Sequence, residues 1–416
     1  MPSNPKVSLS VAIWCGSLAL ALLAGPGSAG EQAAGEWPQY YGADRMNISK
    51  ETGWKAEFAE GGPKELWKIN VGVGASSFTL RGGRLFTMGN VKDQDQVLCL
   101  EAATGKEIWK HTYACKLDKR SFEGGTACTP TLDGNRVYTV SHQGHLFCLD
   151  AEKGTVVWKK HFIDDLGGKR PTWGFACSPL VEKDLLIVDV GGKGSSTVAL
   201  DKATGDVKWK NGDEIAGYSS PVAVDLDGKR TIIIFKGKAL VGLDVSDGKE
   251  LWRLEWKTDY DVNVAIPLVV GKTVFISSGY NRGCALLEID GGKVKKLWEN
   301  KNMRNHINGC VILGGHVYGF DGNVGGGKLS CIDMKDGSVA WSQGGMGTGM
   351  VTSADGKIIA IGEQGQLVIT PAAPDGFKPT FKGKAMEGHC WVVPVLCDGR
   401  LYVRNNLGDV ACLAMK

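Results

Sequence analysis

The chain has 416 residues, 22% of them charged and 43% hydrophobic, which supplies a sizeable core and excludes both a disordered chain and a multi-span membrane protein. Lysine and arginine number 48 against 45 aspartate and glutamate, and they are scattered without a basic stripe, which argues against nucleic acid as a partner. With 59 glycines and 13 tryptophans, both above ordinary usage, the composition points to many short strands joined by tight turns.

In chain order, the first element is an address. Lys6 precedes an apolar run from Val11 to Leu23, and small residues around Gly25 to Ala29 follow where a signal peptidase cleaves, so residues 1–29 read as a signal peptide. The run is short for a membrane span, which needs about 20 apolar residues. The mature chain is therefore expected to be exported, periplasmic or extracellular, with no membrane span. Residues 30–63 read as an irregular segment lying against the domain that follows.

From residue 64 onward the sequence repeats. An acid precedes a tryptophan by eight residues in six segments: Glu101 to Trp109, Asp150 to Trp158, Asp201 to Trp209, Asp244 to Trp252, Asp290 to Trp298 and Asp333 to Trp341. Gly105, Gly154, Gly205, Gly248 and Gly337 stand four residues after the acid, whereas the Asp290 segment moves its glycines forward to Gly291 and Gly292. Starting at Trp67, the steps between tryptophans are 42, 49, 51, 43, 46 and 43 residues. Each period also contains short apolar strands such as Arg136 to Val140 and Leu185 to Asp189. Four strands per period is the arithmetic of a propeller blade.

The acid and glycine suit a turn between the third and fourth strands, and the tryptophan on the fourth strand can pack across the next blade. Trp67, Trp109, Trp158, Trp209, Trp252, Trp298 and Trp341 are thus expected to be blade-docking residues. The seventh blade, from about Gly347 to Lys382, is degenerate, with Thr370 and Lys378 in place of acid and tryptophan. The eighth ends at Lys416 before a fourth strand, while Lys64 to Val71 is a fourth strand without a blade. The expected fold is all-β: an eight-bladed propeller over residues 64–416, closed by this N-terminal strand.

Loops that join blades and loops between second and third strands emerge on one face, and there they carry most of the chemistry. This funnel offers Arg120, Arg170, Trp173, Tyr218, Asn263, Tyr280, Arg304, Asn305, His389, Trp391, Arg404 and Asn405 as ligand-binding candidates. Asp261 and His306 are the candidates for acid/base catalysis. The opposite face has plain turns such as Asp133-Gly134-Asn135. After Cys15 is removed with the signal, eleven cysteines remain, read as small buried thiols at strand positions. There is no Cys-x-x-Cys and no histidine ligand spacing, so no metal site is expected.

The Leu-Asp-(three residues)-Gly-(three residues)-Trp repeat resembles that of the PQQ-binding-like, or quinoprotein-alcohol-dehydrogenase-like, eight-bladed propellers, over about Trp37 to Lys416. Trp37-Pro-Gln-Tyr40, Ser49 to Gly53 and Gly61 to Trp67 are similar to the opening of exported bacterial propellers of this type. The resemblance implies one of two functions. One is a non-catalytic binding or scaffold protein of the cell envelope, like the propeller subunit of the outer-membrane β-barrel assembly machine, using the funnel face to hold an envelope protein, a carbohydrate or another polar small molecule. The alternative is a PQQ-dependent alcohol or sugar dehydrogenase with Ca²⁺, its quinone stacked on Trp173 or Trp391 and Asp261 taking the substrate hydroxyl proton. Adjacent cysteines, typical of that branch, do not occur here, and no lipobox marks the scaffold branch. The first reading, as a monomer without a required cofactor, is the leading expectation.

Overall fold

A computed structural model describes residues 1–2, 35–118 and 123–416; the signal-peptide reading falls outside the described residues, as does Arg120. Residues 35 onward belong to one compact unit. The alternating strands form eight four-stranded antiparallel sheets, one per blade, and a two-residue strand at Ile48–Ser49 is added to the seventh. Within each blade the innermost strand comes first: Thr79–Arg81 in blade 1, Thr131–Asp133, Leu180–Glu182, Val222–Leu226, Leu268–Val270, Cys310–Leu313, Met350–Ala354, and Val395–Cys397 in blade 8. Second and third strands are almost wholly buried, as in Leu85 to Asn90 and Val97 to Leu100, because both of their faces pack against neighbouring blades.

Closure is as the orphan strand implied. Glu65–Asn70 pairs antiparallel with Asp409–Ala414, Trp67 opposite Cys412, and supplies the fourth strand of blade 8. The edge that the C-terminus would otherwise leave open is thereby paired.

Each repeat tryptophan has a defined mechanical role. The Trp109 indole nitrogen donates to the Ala151 carbonyl of blade 2 at 3.0 Å, and Trp67, Trp158, Trp209, Trp298 and Trp341 make the same bond to Ala102, Lys202, Val245, Met334 and Ala373. The ring lies on the glycine of the next blade: a Cβ on Gly154 would stand 2.5 Å from Trp109 and one on Gly248 2.4 Å from Trp209. The acid holds the turn that carries this glycine, as where Asp150 accepts the amides of Glu152 and Lys153 at 2.9 Å. Trp252 faces the segment whose glycines are displaced, and its indole nitrogen makes no such bond to blade 5 among the described contacts. Trp341 faces degenerate blade 7 and packs on Phe377 instead, ring centroids 5.6 Å apart. The fourth strand of blade 7 runs Phe381–Lys384, a little later than the repeat spacing places it, with Phe381 as its buried aromatic.

Residues 37–49 do more than lie against the propeller: they thread across its inner strands. Trp37 exchanges backbone hydrogen bonds with Leu80 of blade 1, and the Pro38 carbonyl accepts from Leu132 of blade 2. Arg45 donates to the carbonyls of Pro179 and Pro221, at the inner strands of blades 3 and 4, at 2.6 and 2.9 Å. Asn47 donates to Val351 of blade 7 and Ser49 to Leu396 of blade 8. The Tyr41 hydroxyl lies where a side chain on Gly309 of blade 6 would be. The segment approaches from the plain-turn face, where the Glu51 carboxylate accepts the amides of Asp398 and Gly399. Tyr41, Arg45 and Asn47 adopt left-handed backbone, with φ of 69°, 56° and 60°. Such residues cost about 1 kcal/mol or more each, so this plug is held by its buried contacts and not by local preference.

Candidate functional site

Antiparallel order puts the blade-joining loops and the loops between second and third strands on the face opposite the plug's approach. The sequence-predicted residues among those described fall there, but most of their polar groups are already engaged. Arg404 is 1% exposed and donates to Ser76, Met88 and Gly72 carbonyls and to the Thr87 hydroxyl; burial lowers its pKa to about 9. No ligand reaches it. Arg304 forms a bidentate pair with Asp321 at 2.8 and 2.7 Å, and that carboxylate raises its pKa. Arg170 joins the His142 carbonyl to Asp118, knitting the loops of blades 1 to 3.

The asparagines are structural in the same sense. Asn263 is fully buried, donating to the Lys236 and Gly237 carbonyls and accepting from Ser278 at 2.6 Å. Asn305 donates to the Phe320 carbonyl and accepts the Cys310 thiol. Asn405 exchanges bonds with Asp409 across a turn and donates to the Glu387 carbonyl. Buried amides must be satisfied, and here the loops' own backbone satisfies them.

Of the acid/base candidates, His306 is 8% exposed, and burial holds its imidazole below the ordinary pKa. Its Nδ1 accepts the Val324 amide at 3.4 Å, and its ring meets Tyr280 edge-on at 4.6 Å. Tyr280 in turn touches Tyr260. Asp261 follows Tyr260 in a short 3₁₀ turn and lies 3.9 Å from Lys238. No contact joins Asp261 to His306, and neither has a hydroxyl or thiol nucleophile within hydrogen-bond reach among the described residues. A constellation for acid/base or nucleophilic chemistry is not assembled by them.

Aromatic side chains remain outward. Trp173 is 42% exposed, with its backbone amide donating to the Tyr218 hydroxyl, and Tyr260 is 68% exposed. Burial raises the Tyr218 pKa to about 12. His389 stacks on Trp391 at an interplanar angle of 3° and is held by Glu123, which also accepts from Asn406. Burial opposes ionisation of Glu123, but Asn406, its own backbone amide and His389 together outweigh it and lower its pKa. Leu407, 56% exposed at the tip of its loop, was missed in the sequence, as was Glu123. Only burial distinguishes these from ordinary loop residues.

Bound PQQ would require cationic partners for its carboxylates, an open aromatic floor, and clustered oxygen ligands for Ca²⁺. Arg304 and Arg404 are already occupied, and so are Asn263, Asn305 and Asn405. These five side chains therefore offer the quinone no free partner.

Fold and repeat define the protein as an eight-bladed propeller of PQQ-type repeats. A family model described as outer membrane protein assembly factor BamB matches residues 51–117 and 114–343, and the chain belongs to this family. Among solved structures, BamB from Moraxella catarrhalis is similar at a TM-score of 0.63 and 16% identity, over 85% of this chain and 99% of that one. The quinohemoprotein alcohol dehydrogenase ADHIIG from Pseudomonas putida HK5 is similar at 0.65 and 13%, over 92% and 80%. The computationally designed Ika8 protein is similar at 0.60 and 11%, over 85% and 100%. At these identities the likeness is one of fold. No curated protein matches the chain significantly. No helix among the described residues is long and apolar enough to cross a membrane.

Proposed function

We propose that the chain is a non-catalytic scaffold of the cell envelope, an outer-membrane assembly factor in kind, which holds a protein segment against its loop-rich face. One observation carries the reading: the polar groups on that face are bonded among themselves, while Trp173, Tyr260 and Leu407 stand exposed on the loops of different blades. Exposed aromatic anchors on a rigid scaffold are the usual substance of protein-binding hot spots. Family membership supports the same direction, and the signal-like residues 1–29 together with that kinship support export to the periplasm or beyond. The propeller acts alone as a monomer on this reading, its partner being another envelope protein.

Site-specific photo-crosslinking in cells tests it. A photoreactive residue at position 173, 260 or 407 should give an adduct with the same envelope protein, whereas positions 135 and 272 on the plain-turn face should not. Adducts of equal yield from both faces would overturn the assignment of the face. Saturable, Ca²⁺-dependent PQQ binding with dye-linked alcohol oxidation would overturn the non-catalytic reading itself.

A further inference from the structure

Three side chains far apart in sequence meet beneath the loop-rich face between blades 1 and 2. Asp95 is the second residue of the third strand of blade 1, Gln94–Glu101; Cys115 directly follows its fourth strand, Glu107–Ala114; and His142 lies in the turn after Arg136–Val140 of blade 2. The Cys115 Sγ is 3.7 Å from His142 Nδ1, and the donor atoms of all three lie within 4.8 Å of one another. Ligands around a tetrahedral cation with bonds of about 2.0–2.3 Å stand about 3.5 Å apart, so small side-chain rotations complete the geometry. We propose that Asp95, Cys115 and His142 bind one thiophilic divalent cation of the zinc class.

The surroundings orient each donor. His142 Nε2 is 3.0 Å from the Lys116 carbonyl, which can only accept, so the proton sits on Nε2 and the Nδ1 lone pair faces the thiol. Gln143 Nε2 lies 3.1 Å from the same nitrogen and 3.4 Å from the Lys116 carbonyl; a flip of this amide, which presents Oε1 to the Nε2 proton, keeps the tautomer. A backbone carbonyl on the far ring nitrogen is the usual support of a metal-binding histidine. Asp95 accepts from Asn90 Nδ2 at 2.7 Å and Thr126 Oγ1 at 2.8 Å, which fixes the carboxylate and leaves further lone pairs.

Two features of the surroundings favour a cation at this place. Asp95 is fully buried and forms no ion pair among the described residues, although a buried carboxylate without counter-charge is costly. The nearby arginine, Arg170, is committed to Asp118. Beside Asp95 and Cys115, the buried Tyr113 hydroxyl faces the Asp95 carboxylate without a hydrogen bond of standard geometry. A divalent cation with thiolate and carboxylate ligands gives a neutral site, and its fourth position is open to the Tyr113 hydroxyl or a water. Binding converts the Cys115 thiol to a thiolate and releases its proton to solvent. Ca²⁺ and Mg²⁺, which take oxygen ligands, are excluded by the thiolate and imidazole. Access is by an open groove of about 550 Å³ on which Cys115, Lys116, Gln143, His145 and His161 border.

Cobalt(II) is the probe. Chelator-treated, reduced protein should take up one equivalent with a thiolate-to-cobalt charge-transfer band and the intense visible bands of a tetrahedral ion, both bleached by one equivalent of zinc. Cys115→Ser should abolish the charge-transfer band, His142→Gln should weaken binding by at least about tenfold, and Cys331→Ala in blade 6 should leave both unchanged. Should a site variant fail to fold, the unmodified protein still decides. Absence of the band in it, or survival of the band in a folded Cys115→Ser variant, overturns the proposal.

Discussion

At Gly154 the backbone is left-handed, φ 69°, and an added methyl would stand 2.5 Å from the Trp109 ring. Gly134 is also left-handed, φ 50°, but opens onto empty space. The pair separates backbone strain from blade docking. Gly134→Ala should cost about 1 kcal/mol, the left-handed penalty alone. Gly154→Ala should cost about 2–4 kcal/mol, since the Trp109 ring and its bond to Ala151 must also shift. Urea unfolding of the two variants measures the difference, and equal losses would remove docking from the account. The repeat is legible in sequence because acid, glycine and tryptophan act within one turn and one strand. Burial of Arg404 or Asn263 is not, because their partners come from chain segments that no spacing connects. The same holds for Asp95, Cys115 and His142, which stand 20 and 27 residues apart and meet only when two blades stack.

His306 carries a second expectation at this scale. Its folded pKa lies below the unfolded value because burial disfavours the imidazolium. The unfolded chain then binds more protons between the two values, so this stabilisation is full above about pH 6.5 and is lost as pH falls towards the folded pKa. Wild type should lose more stability between pH 7.5 and 5.5 than His306→Gln does. Parallel losses, read as unfolding midpoints in urea, would mean that His306 does not titrate with folding.

Among the elements, the plug at residues 37–49 is the one whose role the sequence understated. Its proline, tyrosines and polar residues show neither strand nor helix period, so it reads as irregular. What fixes it is long-range: Arg45, 2% exposed, replaces water with the Pro179 and Pro221 carbonyls, and burial lowers its pKa to about 9. Arg45→Ala should destabilise the protein by about 2–4 kcal/mol, because two buried carbonyls lose a charged donor. Differential scanning calorimetry would show it as one lowered transition. A separate early transition would instead mean that the plug melts away from a propeller stable without it.

Taken as a whole ring, the molecule has neighbouring blades in contact all round and one seam, where Glu65–Asn70 meets Asp409–Ala414. Repeat architectures of this kind unfold from an open end when they have one. A closed ring has none, so the seam sets how cooperatively the blades come apart. The thiols report on this, since all eleven cysteines among the described residues are free and buried, distributed over five of the eight blades and three of the loops that join them. Labelling in rising urea should therefore modify them together in wild type. Ile69→Pro removes the ladder donor opposite Val410 and loosens the seam strand. In that variant Cys397 and Cys412 of blade 8 should become reactive at lower urea than Cys284 of blade 5 and Cys331 of blade 6. Mass spectrometry of the labelled peptides resolves the order. Simultaneous labelling in the variant as well would show that the plug, which bonds to blades on both sides of the seam, holds the ring closed without the strand.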